Sequence, residues 1–293
     1  MNQDLWGNHR IRQGEYFVFH DESIPTKRWL LTGLTFVRRE NLQKVREALH
    51  ALRQQENYYG EIHFSQIPKS FDGQFGAKAR VARSWMQAFE RWLSEVMHFS
   101  CLAVDRQSPA YEPRRFSREF HAYNRFTAIA LKAGISWHLG LENFDRLIIR
   151  FISDAKERPS RPDQGMVDNF QEYLPYRAEL DSFLSQDEGN RYPDVHLELE
   201  LENSSKDDLL QFTDLLLGAT QMALVAASKR PTKRALGEFI VCWCKDLQEP
   251  PWKQQFGLHR RFNLWAFPDD TGAPYNKVSL SLKVEDGQLP LFE

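Results

Sequence analysis

Residues 15–25 read EYFVFHDESIP, and this stretch decides how the chain begins to fold. The run 16–20, YFVFH, is aromatic and β-branched, as expected of a strand buried on both faces. It drives straight into two adjacent carboxylates, Asp21 and Glu22, followed by Ser23. A second apolar run, WLLTGLTFV, follows at 29–37, and DESIPTKR between the two is rich in turn formers. The pair predicts a hairpin of mostly buried strands. Side chains alternate across a strand, so Asp21 and Glu22 should point to opposite sides and cannot act as two equal acids of one site.

Working outward, 39–55 carries Leu42, Val45, Leu49 and Leu52 at helical spacing. A short apolar piece, EIHFSQI, lies at 61–67, and 77–97 reads as an amphipathic helix. The run 98–105 is a strand ending in Asp105, 119–139 a helix, and 145–154 a strand ending in Asp154. Residues 165–184 read as mixed helix and loop, with Pro175 expected to break the helix. VHLELEL alternates strictly over 195–201, the pattern of a half-buried strand. Long apolar helices are expected over 206–228 and 232–247, and the tail (HRRFNLWAF, KVSLSLKV) reads as an added small β element. The alternation predicts a mixed α/β sheet flanked by helices. The expected organisation is an N-terminal arm over 1–14, a core domain over 15–228, and a C-terminal extension over 229–293 packed on that core.

The chain has 293 residues, 42% hydrophobic and 13% aromatic, which suits a packed globular protein and excludes a disordered one. Its net charge of −2 means that any nucleic-acid surface must be a local patch. Three cysteines form no disulfide framework, and Cys242 and Cys244 lack a second pair at zinc spacing. They read as small buried apolar residues in a reducing compartment. MNQDLWGNHR holds no apolar segment of a secretory leader, and LLLGATQMALVAA is too short to span a bilayer. A cytoplasmic protein without membrane contact is the expectation.

Asp21, Asp105 and Asp154 each end an apolar run, and Glu61 starts one. In α/β sheets ligand sites gather at strand ends, although any one such acid also serves as a turn or cap. Asp214, in LLQFTDLLLGA, is the anomaly: Leu210, Asp214 and Leu217 share one helix face, while Leu209, Phe212, Leu216 and Ala219 occupy the other. A carboxylate there needs a partner: an arginine such as Arg125 or Arg150, backbone N–H groups, or a metal ion. Gly218 would let a backbone or ligand approach. Converging carboxylates repel one another, and hard divalent ions such as Mg²⁺ or Mn²⁺ resolve that conflict. Two such ions about 3.5–4 Å apart can activate a water and steady the leaving oxygen in phosphodiester cleavage.

FHDES, EIHFSQI, FISDAKER and NSSKDDLLQFTDLLLGA, in that order, resemble domain-of-unknown-function family 3800, which is similar to the RNase H-like superfamily. The resemblance spans residues 15–226; Ile24 and Pro25 stand where the family's first motif continues with glycine. It implies an RNase H-like core whose catalytic and metal-holding acids are Asp21, Glu61, Asp154 and Asp214, with two Mg²⁺ or Mn²⁺ ions. Glu22 would be an accessory group. Asp105 rivals Asp154, which is favoured because basic residues follow it, as the family tends to have. Of these, Lys156 and Arg158 could contact phosphate or simply form a solvated turn.

His20 and His63 flank the acids as possible accessory groups or as structural histidines. Ser205 reads as the N-cap of the last core helix, with Asp208 completing a capping box. KRPTKR places Lys229, Arg230, Lys233 and Arg234 together, a local basic patch suited to a phosphate backbone or a solvated loop. Further basic pieces are EPRR at 112–115 and HRR at 259–261, and Trp252, Trp265 and Phe267 could stack bases or bury the tail. The expected function is metal-dependent nuclease or nuclease-like phosphoryl transfer on nucleic acid. The alternative is a non-catalytic RNase H-like module that binds nucleic acid or protein in a mobile-element or defence system, with a protein partner or a second copy.

Overall fold

β1 (Gln13–Ser23) and β2 (Trp29–Arg38) form the expected antiparallel hairpin, with Tyr16 opposite Arg38 and Asp21 opposite Gly33. The computed structural model of the chain describes residues 11–23, 28–116, 118–155, 168–187, 192–267 and 278–284. After β2 come α1 (Leu42–Gln55), α2 (Ala77–Arg91), β3 (Met97–Asp105), α3 (Glu119–Gly134), β4 (Arg146–Asp154), α4 (Phe170–Asp187), β5 (Asp194–Glu202), α5 (Asp208–Val225), α6 (Pro231–Asp246) and β6 (Phe262–Phe267).

The six strands make one mixed sheet in the order β5-β4-β1-β2-β3-β6. β1 and β3 both run antiparallel to β2 between them; β4 is parallel to β1, β5 to β4 and β6 to β3. Alternation along β1 splits the core in two. Phe19 faces a cluster with Val45, Trp85, Phe212 and Trp243, from α1, α2, α5 and α6. Tyr16 and Val18 face the other cluster, with Phe126 and Leu131 of α3 and Leu174 of α4. The mixed sheet flanked by helices is therefore the architecture found. α5 is apolar almost all round because it lies between the sheet and α6.

Several local expectations are corrected. Pro175 does not break α4, which is continuous over Phe170–Asp187. The missing N–H removes a single rung, while Leu174 and Ala178 on either side of it stay buried. Asp207, not Ser205, caps α5: its Oδ1 accepts from Leu209 N and Leu210 N at 2.7 and 3.1 Å. α2 stops at Arg91, before the expected end at 97, because the backbone must turn into β3. The tail is no separate β element. β6 joins the main sheet beside β3, and 278–284 is not a strand but runs along α5, with Ser281 N and Leu282 N donating to Ala223 O. Among the described residues no helix is long and apolar enough to cross a membrane.

Candidate active site

The parallel register of β1 and β4 sets the first two acids side by side. His20 pairs with Ser153, and their side chains bond, Nδ1 to Oγ, at 2.9 Å on one face of the sheet. Asp21 and Asp154 are each one residue further on, so both turn to the opposite face, toward α5. Asp21 is 6% exposed, and its Oδ1 accepts from Glu22 N at 2.8 Å. Asp154 Oδ1 accepts from Ser204 N at 3.2 Å, which ties β4 to the turn that leads into α5.

α5 brings Asp214 to the same place. Neither Arg125 nor Arg150 serves it: Arg125 is exposed, and Arg150 lies near Glu198 and over the ring of Phe17. Its Oδ2 instead accepts from Phe64 N at 2.7 Å and from His63 Nδ1 at 2.9 Å. Nor is it sealed, since its side chain is 20% exposed and borders a cleft. Gly218 borders the cleft and lies against the ring of Phe64. A Cβ there would fall 2.1 Å from Phe64 Cγ, so this position must stay a glycine for the loop to lie on α5. The half-exposed His63 has its pKa raised first by the Asp214 hydrogen bond, against partial burial, and further by the charges of Asp21 and Glu61.

Two connected hollows result. A recess of about 20 Å³, room for one water-sized guest, is lined by Asp21, Glu61, Asp154 and Asp214 together with His63 and Gln211. A cleft of about 420 Å³ runs on from Asp21, His63 and Asp214 to Ser228 and Lys233. Four of the residues lining the recess are carboxylates, whose oxygens suit hard divalent ions. Among the described residues, no three His, Cys, Asp or Glu side chains lie close enough together to hold an ion as they stand.

The other candidates are placed differently. His20 is also among the residues lining the recess, while its ring packs in the opposite core, with Thr127 Oγ1 3.3 Å from its Nε2 and the rings of Phe151 and Phe170 beside it. Glu22 turns the same way, its Oε2 4.0 Å from His20 Nε2, although it also borders the larger cleft. Asp105 lies beyond β2 and is held by Arg28, whose Nη2 donates to it at 2.7 Å. Lys156 and Arg158 lie outside the described residues. In the basic patch, Lys229 and Arg234 are exposed, while Arg230 Nη1 donates to Ile67 O at 2.9 Å. Lys233 sits on the cleft wall, over the ring of Phe64, and donates to Ser65 O at 3.1 Å. Burial lowers its pKa, with Arg230 adding and Asp214 opposing. Trp252 is exposed, whereas Trp265 and Phe267 pack against the α3 core.

Two residues not singled out in the sequence support the recess. Gln211, on α5 one turn before Asp214, is 3% exposed, and Arg53 on α1 is 4% exposed. Arg53 follows Leu49 at helical spacing, so a charge on the apolar stripe of α1 was its signal; a glutamine among the leucines of α5 was the other.

No family model matches the chain, and no curated protein does. Among solved structures, it is similar to ribonuclease H2 from Pyrococcus horikoshii OT3 at 9% identity and a TM-score of 0.37, over 84% of this chain and 97% of that one. It is likewise similar to the RNase HII of the PCNA:RNase HII complex from Archaeoglobus fulgidus, at 11% identity and a TM-score of 0.34, over 80% and 91% of the two chains.

Proposed function

We propose that this chain is a metal-dependent nuclease, or a nuclease-like phosphoryl-transfer enzyme, acting on nucleic acid. The observation that carries the reading is the recess itself: Asp21, Glu61, Asp154 and Asp214, from four separate segments, line one small space at the carboxyl ends of parallel strands. The sheet supports it. Antiparallel β1–β3 continued by parallel β4 and β5, with acids closing β1 and β4 and a third on α5, suits an RNase H-like core. So does the resemblance of the four motifs to family 3800.

In this reading the four carboxylates, two of which also border the larger cleft, would hold two Mg²⁺ or Mn²⁺ ions across the recess and the adjoining end of the cleft, and when bound these would supply Lewis acidity for attack of water on the phosphodiester. The chain's own groups do the rest. The N–H groups of Glu22, Ser204 and Phe64 orient Asp21, Asp154 and Asp214. His63 keeps a proton on Nδ1 toward Asp214 Oδ2, so that carboxylate stays an acceptor. The cleft that ends at Lys233 gives a phosphate chain its path to the acids.

The test is Asp21→Asn and Asp214→Asn in the full chain. Each should lower Mn²⁺-dependent cleavage of nucleic acid about a thousandfold or more and abolish the thermal shift given by Mn²⁺, with the fold kept. Variants that cut as well as wild type overturn the reading. Nucleic-acid binding that ignores EDTA, without any metal-dependent thermal shift, would favour the non-catalytic module.

A further inference from the structure

We infer that Gln211 is the positioning residue that sets one half of the acidic recess against the other, with Arg53 as its support. This rests on the metal-centre reading above. The recess has two sides of different origin. Glu61 comes from the loop before the short turn Phe64–Gln66, whereas Asp154 ends β4 and is held by Ser204 N of the turn before α5. The Gln211 amide spans both. Its Oε1 accepts from Ile62 N at 2.7 Å, next to Glu61, and its Nε2 donates to Ser204 O at 2.8 Å.

The amide is itself fixed. Arg53 Nη2 donates to Gln211 Oε1 at 2.6 Å, Nη1 to Gly60 O at 2.7 Å and Nε to Asp208 Oδ1 at 2.8 Å. The Trp85 ring lies 4.9 Å from the guanidinium carbon. The guanidinium thus grips the residue before Glu61 and the first turn of α5 together. The uncharged glutamine amide carries its acceptor and its donors on separate atoms, so it can reach both partners, and asparagine is one methylene too short for this span.

The chemistry of the loop makes the clamp matter. Beside the His63–Asp214 bond, loop 61–64 meets α5 through two backbone N–H groups, Phe64 N donating to Asp214 and Ile62 N to Gln211. The first uses a carboxylate that the metal reading assigns to an ion. The second does not, so Gln211 holds Glu61 in place whatever Asp214 binds. Groups that orient ligands in this way typically change metal affinity by about 10–100-fold when lost.

The experiment uses the full chain without substrate: Mn²⁺ binding by calorimetry and amide exchange at Ile62, for wild type, Gln211→Asn and Gln211→Met. Asp21→Asn serves as the control that removes a ligand. Both Gln211 variants should bind Mn²⁺ about tenfold more weakly and exchange the Ile62 amide faster. A folded variant with the wild-type Mn²⁺ affinity overturns the inference. If wild type binds no Mn²⁺, the metal reading falls, and the clamp is judged on Ile62 exchange alone; an unchanged rate in the variants overturns it. If neither variant folds, wild type still decides, because rapid exchange at Ile62 there rules the clamp out.

Discussion

At the end of β1 the two faces of the sheet treat polar groups differently, and His20 and Asp21, adjacent on the strand, mark the divide. On the α3 side, polar groups are sealed. His20 is 1% exposed, between Ser153 and Thr127. His138, in the π-helical turn Ile135–Leu139, donates from Nδ1 to Arg260 O at 2.7 Å, and burial pushes its pKa down to about 3. On the α5 side, Asp214 and His63 reach solvent, and the hydrogen bond to Asp214 raises the pKa of His63. Because a strand alternates its side chains, one residue of register separates a core position from a site position. The difference teaches that an acid at a strand end is not a site by composition; it becomes one on the face where packing leaves a hollow.

The largest break between the faces should come from His20→Ala beside Asp21→Asn. Removing His20 leaves the Ser153 hydroxyl without that partner and opens a gap against Phe151 and Phe170. The expected loss is about 2–4 kcal/mol of stability in urea unfolding, with metal-dependent cleavage per folded molecule retained at low temperature. Asp21→Asn should do the reverse. If His20→Ala stayed stable but lost cleavage, the divide would lie elsewhere.

A smaller effect separates the faces by pH. His138 is neutral in the fold, while the unfolded chain takes up its proton as the pH falls below about 6.5. The stability due to a neutral His138 is therefore full above that pH and is lost as the pH drops toward about 3. His98, whose ring centroid is 5.3 Å away, is pushed down the same way, to about 4, chiefly by burial. Urea unfolding between pH 6.5 and 4.5 should show a slope that His138→Gln flattens by on the order of 1 kcal/mol per pH unit. An unchanged slope would mean that the α3 face is wetter than its packing implies.

What the sequence made legible follows the same divide. The hairpin, the two helix layers and β5 were readable because their periods are local: 2 for strands, 3.6 for helices. Asp21, Asp105 and Asp154 stood out because they end apolar runs, and Asp214 because it interrupts one; the choice of Asp154 over Asp105 came from the resemblance to family 3800. The partners of Asp214 could not, since they come from a loop around His63 and Phe64 that has no period. β6 was read as part of an added β element, and its place in the sheet was not legible, because joining β3 in parallel is a long-range pairing that its own residues do not encode. The α5 cap was missed because Ser204, Ser205, Asp207 and Asp208 all suit the position, and only the path of the backbone chooses among them. Gln211 looks in sequence like one polar residue on an apolar helix; its role depends on Ile62 and Ser204 arriving from opposite sides.

The smallest expected effect, and the finest probe of the open face, is at Lys233. Its ammonium stands on the cleft wall over Phe64, and the carbonyl of Ser65 accepts one of its protons. An ammonium has three donors, so that bond leaves capacity for a phosphate. If a phosphate backbone follows the cleft, Lys233→Gln should weaken nucleic-acid binding by less than about tenfold and reduce the slope of log K against log salt by about 0.7–0.9, the value of one phosphate contact. Fluorescence anisotropy of a labelled oligonucleotide from 50 to 200 mM KCl reads both, over roughly the salt range where such contacts are lost. Arg234→Gln, exposed one residue further along α6 and not on the cleft wall, is the comparison. Equal slopes for Lys233→Gln and wild type would leave Lys233 with the single task of holding Ser65, and the path of the phosphate chain would have to leave the acids by another wall.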